Sequence, residues 1–211
     1  MSGKTLPDTL KPRKVPTQSR ARERVELILK TTRSILALEG VNGLTTVRIA
    51  EAAGIPVSSI YQYFPSKEAI YAALYTEYLQ NLRAVLKRFE HPDWIALGWE
   101  KLFAELFKEI HQEETRDDIT RELELAMTLY PNLNLLGDEH SELVTEQLAS
   151  IMRKLGSTWR GKKLRRMARF IYAVNDGVWT YRAYHDPPKQ ELLRWELAAV
   201  FGALRYCFET K

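Results

Sequence analysis

Hydroxyl, amide and amine side chains are concentrated in residues 46–67 of this sequence. Serine hydroxyls and glutamine amides reach the edges of nucleic acid bases, and Ser58, Ser59 and Gln62 are groups of this kind. Threonine and tyrosine hydroxyls and lysine amines suit phosphate oxygens. The residues suited to phosphate are Thr46, Tyr61, Tyr63 and Lys67. The alternative is that all seven residues are ordinary helix caps and turn surface.

The same segment contains a spacing that would position these groups. Ala50, Gly54 and Ile60 follow the pattern Ala-x3-Gly-x5-[Ile/Val]. A small first residue lets a second helix cross closely, and glycine adopts the left-handed conformation that ends a helix. The spacing predicts a helix-turn-helix with Ile49, Ile55 and Ile60 in its small core. A tight corner in an ordinary helical protein has the same spacing, so both interpretations stay open.

The run from Gly43 to Glu68, GLTTVRIAEAAGIPVSSIYQYFPSKE, resembles the DNA-binding segment of the tetracycline-repressor (TetR) family. The resemblance is specific over residues 20–75, and beyond them it rests on length and helical pattern. It implies a homodimeric repressor that a small ligand releases from DNA. By position, Thr46, Tyr61, Tyr63 and Lys67 resemble the family's phosphate contacts. The positions that resemble its groove-facing residues are Val47, Val57, Ser58, Ser59 and Gln62.

Helical periodicity dominates the chain after residue 17, and few stretches alternate with the period of two that strands require. We predict an all-α protein with an N-terminal three-helix DNA-binding domain and a C-terminal helical domain for effector binding and dimerisation. The predicted domains are a flexible basic arm (1–17), the helix-turn-helix domain (18–66) and the effector-binding domain (67–211). The predicted helices include 47–53, 57–64, 66–88, 93–113, 162–185 and 188–209.

Positive charge is concentrated in the first part of the chain. Residues 1–87 contain 13 Lys and Arg against 7 Asp and Glu, a net charge of +6, whereas residues 88–211 contain 18 against 20, a net charge of −2. This asymmetry predicts an anionic partner for the N-terminal part. The basic residues Arg13, Lys14, Arg20 and Arg22 extend along DNA in this interpretation, and a solvated tail is the alternative.

The last two predicted helices are apolar on two faces, and both faces of such a helix must be buried. One face packs on its own domain, and the other most simply packs on a second copy of the chain. Two recognition helices about one DNA turn apart would then require a palindromic operator in double-stranded DNA. A large monomeric core is the alternative. The residues predicted for the dimer face are Phe170, Val174, Gly177, Tyr181, Leu192, Trp195, Ala199, Ala203 and Tyr206.

Aromatic and methionine side chains are frequent between residues 94 and 181. Such rows at helical spacing usually form a core, but we expect some of them to line a cavity for a small hydrophobic or aromatic effector. Arg182 is a further polar anchor there, whereas the Asp138-Glu139-His140 run is predicted to lie in an exposed loop. The predicted effector residues are Trp94, Trp99, Phe103, Phe107, Met127, Tyr130, Tyr172, Asn175, Asp176 and Trp179.

Other features limit the possible functions. Cys207 is the only cysteine, so no intramolecular disulfide can form, and a reducing, cytoplasmic compartment is expected. The sequence has no metal-ligand spacing, glycine-rich phosphate loop or triad context, so we expect no metal, no cofactor and no catalytic residue. We expect no signal peptide and no membrane partner. An activator, a regulator whose ligand promotes DNA binding, and a helical protein–protein interaction module are the alternatives to a repressor.

Overall fold

The computed structural model describes residues 7–11, 19–116, 119–185 and 187–209. Every regular element within these ranges is helical, which confirms the predicted all-α class. The α-helices of the described residues are α1 (Ser19–Gly43), α2 (Thr46–Ala53), α3 (Val57–Tyr63), α4 (Lys67–Arg88), α5 (Pro92–Ile95), α6 (Trp99–Glu114), α7 (Thr120–Leu129), α8 (Asn134–Lys154), α9 (Gly161–His185) and α10 (Lys189–Phe208), with 3₁₀ turns at Asp8–Leu10 and Pro131–Leu133.

The helices form two compact units. Unit 1 consists of the chain up to Tyr78 and of Asp118–Gly137. Unit 2 consists of Leu79–Asp117 and of the chain from Asp138 onward. The residues of α4 are therefore divided between the units, and α7 belongs with α1, α2 and α3. The domain limits expected at residues 17 and 66 stay predictions, because the compact units divide the chain at other points.

Part of the predicted flexible arm is packed. The residues Asp8–Leu10 form a 3₁₀ turn, and the Leu10 side chain is buried in unit 1. The Ser66 hydroxyl donates to the carbonyl of Thr9 over 3.3 Å. This turn is therefore packed on unit 1 through Leu10, and the flexibility of the arm stays a prediction. Arg13 and Lys14 lie outside the described residues, and Arg20 and Arg22 lie in the first turn of α1.

The last part of α1 contains a break in the helix at Gly40. Gly40 has φ 67° and ψ −175°, which interrupts the helix before its last turn. The backbone N–H of Val41 then has no helical acceptor and donates instead to a carboxylate oxygen of Glu122 on α7, at 2.7 Å. A side chain thus fixes the path by which the chain leaves α1.

The predicted helix over 93–113 is wrong in one respect, because it is two helices. Gly98 has φ 80° and ψ 165°, a conformation outside the helical region, and it separates α5 from α6. The ring of Trp94 on α5 packs on Phe89 with centroids 4.3 Å apart. Trp99 opens α6 and stacks on Phe208 of α10 at 5.4 Å, so the two tryptophans have separate environments.

A buried polar cluster crosses the core of unit 2. His111 Nε2 donates to Glu196 over 2.5 Å, and the Asn175 amide donates to the other oxygen of Glu196 over 3.1 Å. Arg182 forms an ion pair with Glu114 at 3.1 Å. Burial raises the pKa of Glu114 to about 7, although the neighbouring charge of Arg182 acts in the opposite direction.

This raised pKa predicts how stability changes with pH. The native state retains the Glu114 proton at pH values where the unfolded state has lost it, so this residue favours folding at low pH. Its contribution is lost as the pH rises from about 4.5 to about 7. Glu114→Gln should remove this part of the pH dependence. Thermal unfolding of both proteins across this range, at one protein concentration, measures it, and parallel pH curves would contradict it.

Candidate nucleic-acid interface

The corner between α2 and α3 has the geometry that the sequence predicts. Gly54 ends α2 in the left-handed conformation, with φ 64° and ψ 37°, and its N–H bonds back to α2. The N–H of Ile55 donates to the carbonyl of Ala50 over 3.0 Å. Ile49, Ala50 and Ile60 are buried. The predicted helix-turn-helix is confirmed, and its second helix is held by its inner face.

The outer face of this corner exposes the predicted groove-facing groups. Ser58 and Gln62 are exposed on α3, whereas Val57 and Ser59 are half-buried. Val47 at the start of α2 is 50% exposed. The structure therefore places all five predicted positions on α2 and α3, with an apolar surface at Val47 and polar groups on α3.

The groups predicted to bind phosphate are partly joined to one another. The hydroxyls of Thr46 and Tyr61 lie 3.1 Å apart and share a hydrogen bond across α2 and α3. The Lys67 ammonium group donates to the carbonyl of Leu44 over 3.2 Å. Tyr63 is half-buried at the end of α3. The side chains of three predicted phosphate contacts therefore form hydrogen bonds around the α2–α3 corner itself: Thr46, Tyr61 and Lys67.

Thr46 lies next to the cap of α2 and does not form it. The cap of α2 is Thr45, whose side-chain oxygen accepts from the N–H of Arg48 over 3.0 Å. Thr46 is the first helical residue of α2, so its hydroxyl has no capping role and bonds with Tyr61 instead. Ser66 does cap α4, because its oxygen accepts from the N–H of Ala69 over 3.2 Å.

Arg48 makes a contact between α2 and α1 that the sequence did not suggest. Its guanidinium group forms an ion pair with Glu39 of α1 at 2.6 Å. A second bond runs from Arg48 Nε to Glu39 at 3.1 Å, and the pair lowers the pKa of Glu39. The pair fastens α2 to α1 at the protein surface. Helical periodicity contains no signal for it, because the partners lie on different helices.

The residues predicted for effector binding are divided between the two units. In unit 2, Phe107, Tyr172 and Asn175 line one narrow cavity with apolar side chains of several helices. Phe103 and Trp179 are buried, and the hydroxyl of Tyr172 donates to Asp176 over 3.4 Å. Trp94 and Trp99 have the packing described above and do not line this cavity. Met127 and Tyr130 belong to unit 1.

His140 corrects the expectation of an exposed loop around residue 138. It lies inside α8, is buried, and lines the same cavity of unit 2. Its Nδ1 bonds to the Arg83 guanidinium group at 3.0 Å. Burial and the charge of Arg83 lower the pKa of His140 to about 4. A neutral imidazole therefore faces the cavity at neutral pH.

The residues predicted for the dimer face are at least partly exposed to solvent in this chain, with one exception. Trp195 is 50% exposed and Tyr206 is 66% exposed. Leu192 is only 3% exposed, so its assignment to the dimer face is wrong. It shares the inner face of α10 with Glu196, whose burial the sequence did not suggest. The remaining predicted residues are half-buried or exposed: Phe170, Val174, Gly177, Tyr181, Ala199 and Ala203.

No group of three or more His, Cys, Asp and Glu side chains in the described ranges could hold a metal ion. Among the helices of that part of the chain, none is long and apolar enough to span a membrane.

The chain resembles known proteins in sequence and in fold. Residues 28–74 match the family described as "Bacterial regulatory proteins, tetR family". The nucleoid occlusion factor SlmA of Haemophilus ducreyi is 33% identical over 88 residues, which are 40% of this chain and 43% of SlmA. The chain thus spans less than half the length of this curated relative.

Solved structures extend the likeness of the fold to most of the chain. A TetR transcription regulator from Haloarcula marismortui has a TM-score of 0.70 and 17% identity, over 88% of this chain and 98% of that one. The multidrug-binding protein EbrR in complex with ethidium has a TM-score of 0.64 and 20% identity, over 85% and 98% of the two chains. The helix-turn-helix of residues 46–63 lies within the segment that matches the tetR family, so residues 28–74 resemble the DNA-binding domain of that family, and the likeness of the fold extends over most of the chain.

Proposed function

We propose that the protein is a homodimeric repressor that binds a palindromic operator through α3 and is released by a small hydrophobic or aromatic effector. The observation that carries the proposal is the exposed polar surface of the α2–α3 corner. Ser58 and Gln62 contact base edges, while Thr46, Tyr61 and Lys67 contact phosphates. Such a regulator acts in the cytoplasm, where the DNA of a bacterial cell lies.

The operator is found by selection from a random-sequence duplex library at about 150 mM salt. Enrichment of an inverted repeat would support the proposal. Binding without any sequence enrichment would contradict specific recognition. A ligand that strengthens binding, or a site that activates a promoter, would favour the activator alternatives. Absence of salt-dependent DNA binding would favour a protein–protein interaction module.

Base contacts and phosphate contacts predict different mutant behaviour. Gln62→Ala should weaken binding to the selected operator by about 1–3 kcal/mol and leave non-specific binding nearly unchanged. Lys67→Ala should weaken both and lower the slope of log K against log salt by about 1 for each subunit. Fluorescence anisotropy at several salt concentrations measures both quantities. Gln80→Ala, an exposed position on α4, is the control and should change neither.

Dimerisation is supported by the open aromatic face of α9 and α10. A stable interface buries about 1,200–2,000 Å² in total, and large aromatic side chains commonly lie at its centre. Trp195→Glu should produce monomers, because a charge placed in that centre is desolvated without a partner. Sedimentation velocity measures the mass. Leu38→Glu is the matched control, since Leu38 is 84% exposed on α1 and lies outside the proposed interface.

Effector binding is proposed for the cavity of unit 2 that Phe107, Tyr172 and Asn175 line. EbrR shares the fold and binds ethidium in its solved complex, so ethidium is a suitable aromatic probe. Tyr172→Leu should weaken ethidium binding about two- to tenfold, because an aromatic contact contributes about 0.5–1.5 kcal/mol. Trp94→Leu, outside the cavity, should leave it unchanged. Fluorescence titration without DNA measures the affinity, and equal affinities in all three proteins would contradict this site.

The effector must distinguish two states of the protein. A ligand shifts the DNA-binding equilibrium only as far as its affinities for the DNA-competent and DNA-incompetent states differ. We propose that effector binding displaces α4, since this helix runs from one unit into the other, and that the displacement changes the spacing of the two α3 helices in the dimer.

A further inference from the structure

Residues 119–133, which comprise α7 and the 3₁₀ turn after it, belong to the same compact unit as the helix-turn-helix. In sequence this segment lies far from α1–α3, and nothing in its composition suggests a part in DNA binding. It nevertheless contacts both the end of α1 and the start of α4. We define this segment, Ile119–Leu133, as the brace.

The first contact of the brace lies at the break in α1. Glu122 accepts the N–H of Val41 over 2.7 Å. At Gly40, a Cβ atom would stand 3.1 Å from the same carboxylate oxygen, and the positive φ also disfavours a side chain. The carboxylate therefore fits closely against the backbone break and sets the direction in which the chain continues toward Leu44.

The second contact lies at Lys67, the residue proposed to bind phosphate. Its ammonium group donates to the Leu44 carbonyl over 3.2 Å and lies 5.6 Å from the centre of the Tyr130 ring, within the range of cation–π attraction. Tyr130 in turn packs on Tyr71 of α4 with ring centroids 5.6 Å apart. An ammonium group has three N–H donors, so Leu44 leaves two of them for another acceptor.

We propose that Tyr130 and Glu122 are positioning residues for DNA binding, which hold the Lys67 ammonium group ready for a backbone phosphate. Tyr130 acts on Lys67 directly, and Glu122 acts through the path of the chain to Leu44. A long lysine side chain that is already held loses less conformational freedom when a phosphate binds. This inference rests on the proposed function, because it requires Lys67 to contact DNA.

The test is a double-mutant cycle that measures binding of the protein to a mixed-sequence DNA duplex of about 30 base pairs. Binding to such a duplex depends on phosphate contacts and does not require the operator sequence. Tyr130→Leu should weaken binding about tenfold and lower its salt slope toward that of Lys67→Ala. In the Lys67→Ala background the same substitution should have no further effect. Tyr130→Phe keeps the ring and should bind as the wild type does. Glu122→Ala should show the same dependence on Lys67, with a smaller loss.

A merely structural brace would behave differently. It would lower the melting temperature and weaken binding by the same factor whether or not Lys67 is present, and this additive result would overturn the proposal. Leu129→Ala, on an exposed position of the brace, is the matched control and should leave DNA affinity unchanged. If the wild type binds the duplex and Lys67→Ala binds equally well, positioning fails while DNA binding stands. If the wild type binds no duplex, both fail.

Discussion

The left-handed turn at Gly54 is the constraint on which the DNA-binding surface depends. The helices on either side have only 8 and 7 residues, and helices of this length are not stable in isolation. They persist because Ile49, Ala50 and Ile60 are packed at their crossing. A side chain at residue 54 would strain the turn, and a larger residue at position 50 would separate the helices. The packing of these three buried side chains therefore fixes the relative orientation of the exposed faces of α2 and α3.

This corner is then fastened at its outer edges by side chains from other helices. Glu39 of α1 holds Arg48 on α2, and Lys67 of α4 reaches back to the carbonyl of Leu44 between α1 and α2. Each of these contacts is weak, since solvent screens ion pairs and competes for hydrogen bonds at a protein surface. Their effect is geometric, because the first joins α1 to α2 and the second joins α4 to the loop between α1 and α2.

Local chemistry explains what could be predicted from the sequence. The Gly54 turn and the two short helices that it joins depend on residues within a few positions of one another. Contacts across long separations could not be predicted, such as Val41 with Glu122, 81 residues apart, and His111 with Glu196, 85 residues apart. Leu192 was misplaced for a different reason. It lies on the inner face of α10 together with Glu196, and a carboxylate normally marks a solvent face, so the sequence did not indicate that this side of the helix is buried.

The core of unit 2 also constrains how an effector would bind there. The cavity beside Phe107 and Tyr172 has a volume of about 20 Å³, which holds about one water molecule, whereas pockets for drug-sized ligands measure about 300–1,000 Å³. A ligand at this site must therefore displace packed side chains, and the liganded state differs from the one described. Because interiors are close-packed, such a displacement passes to neighbouring helices. An effector bound at the proposed site would therefore differ in affinity between the packed state and a rearranged one, and a ligand shifts an equilibrium between two states only through such a difference.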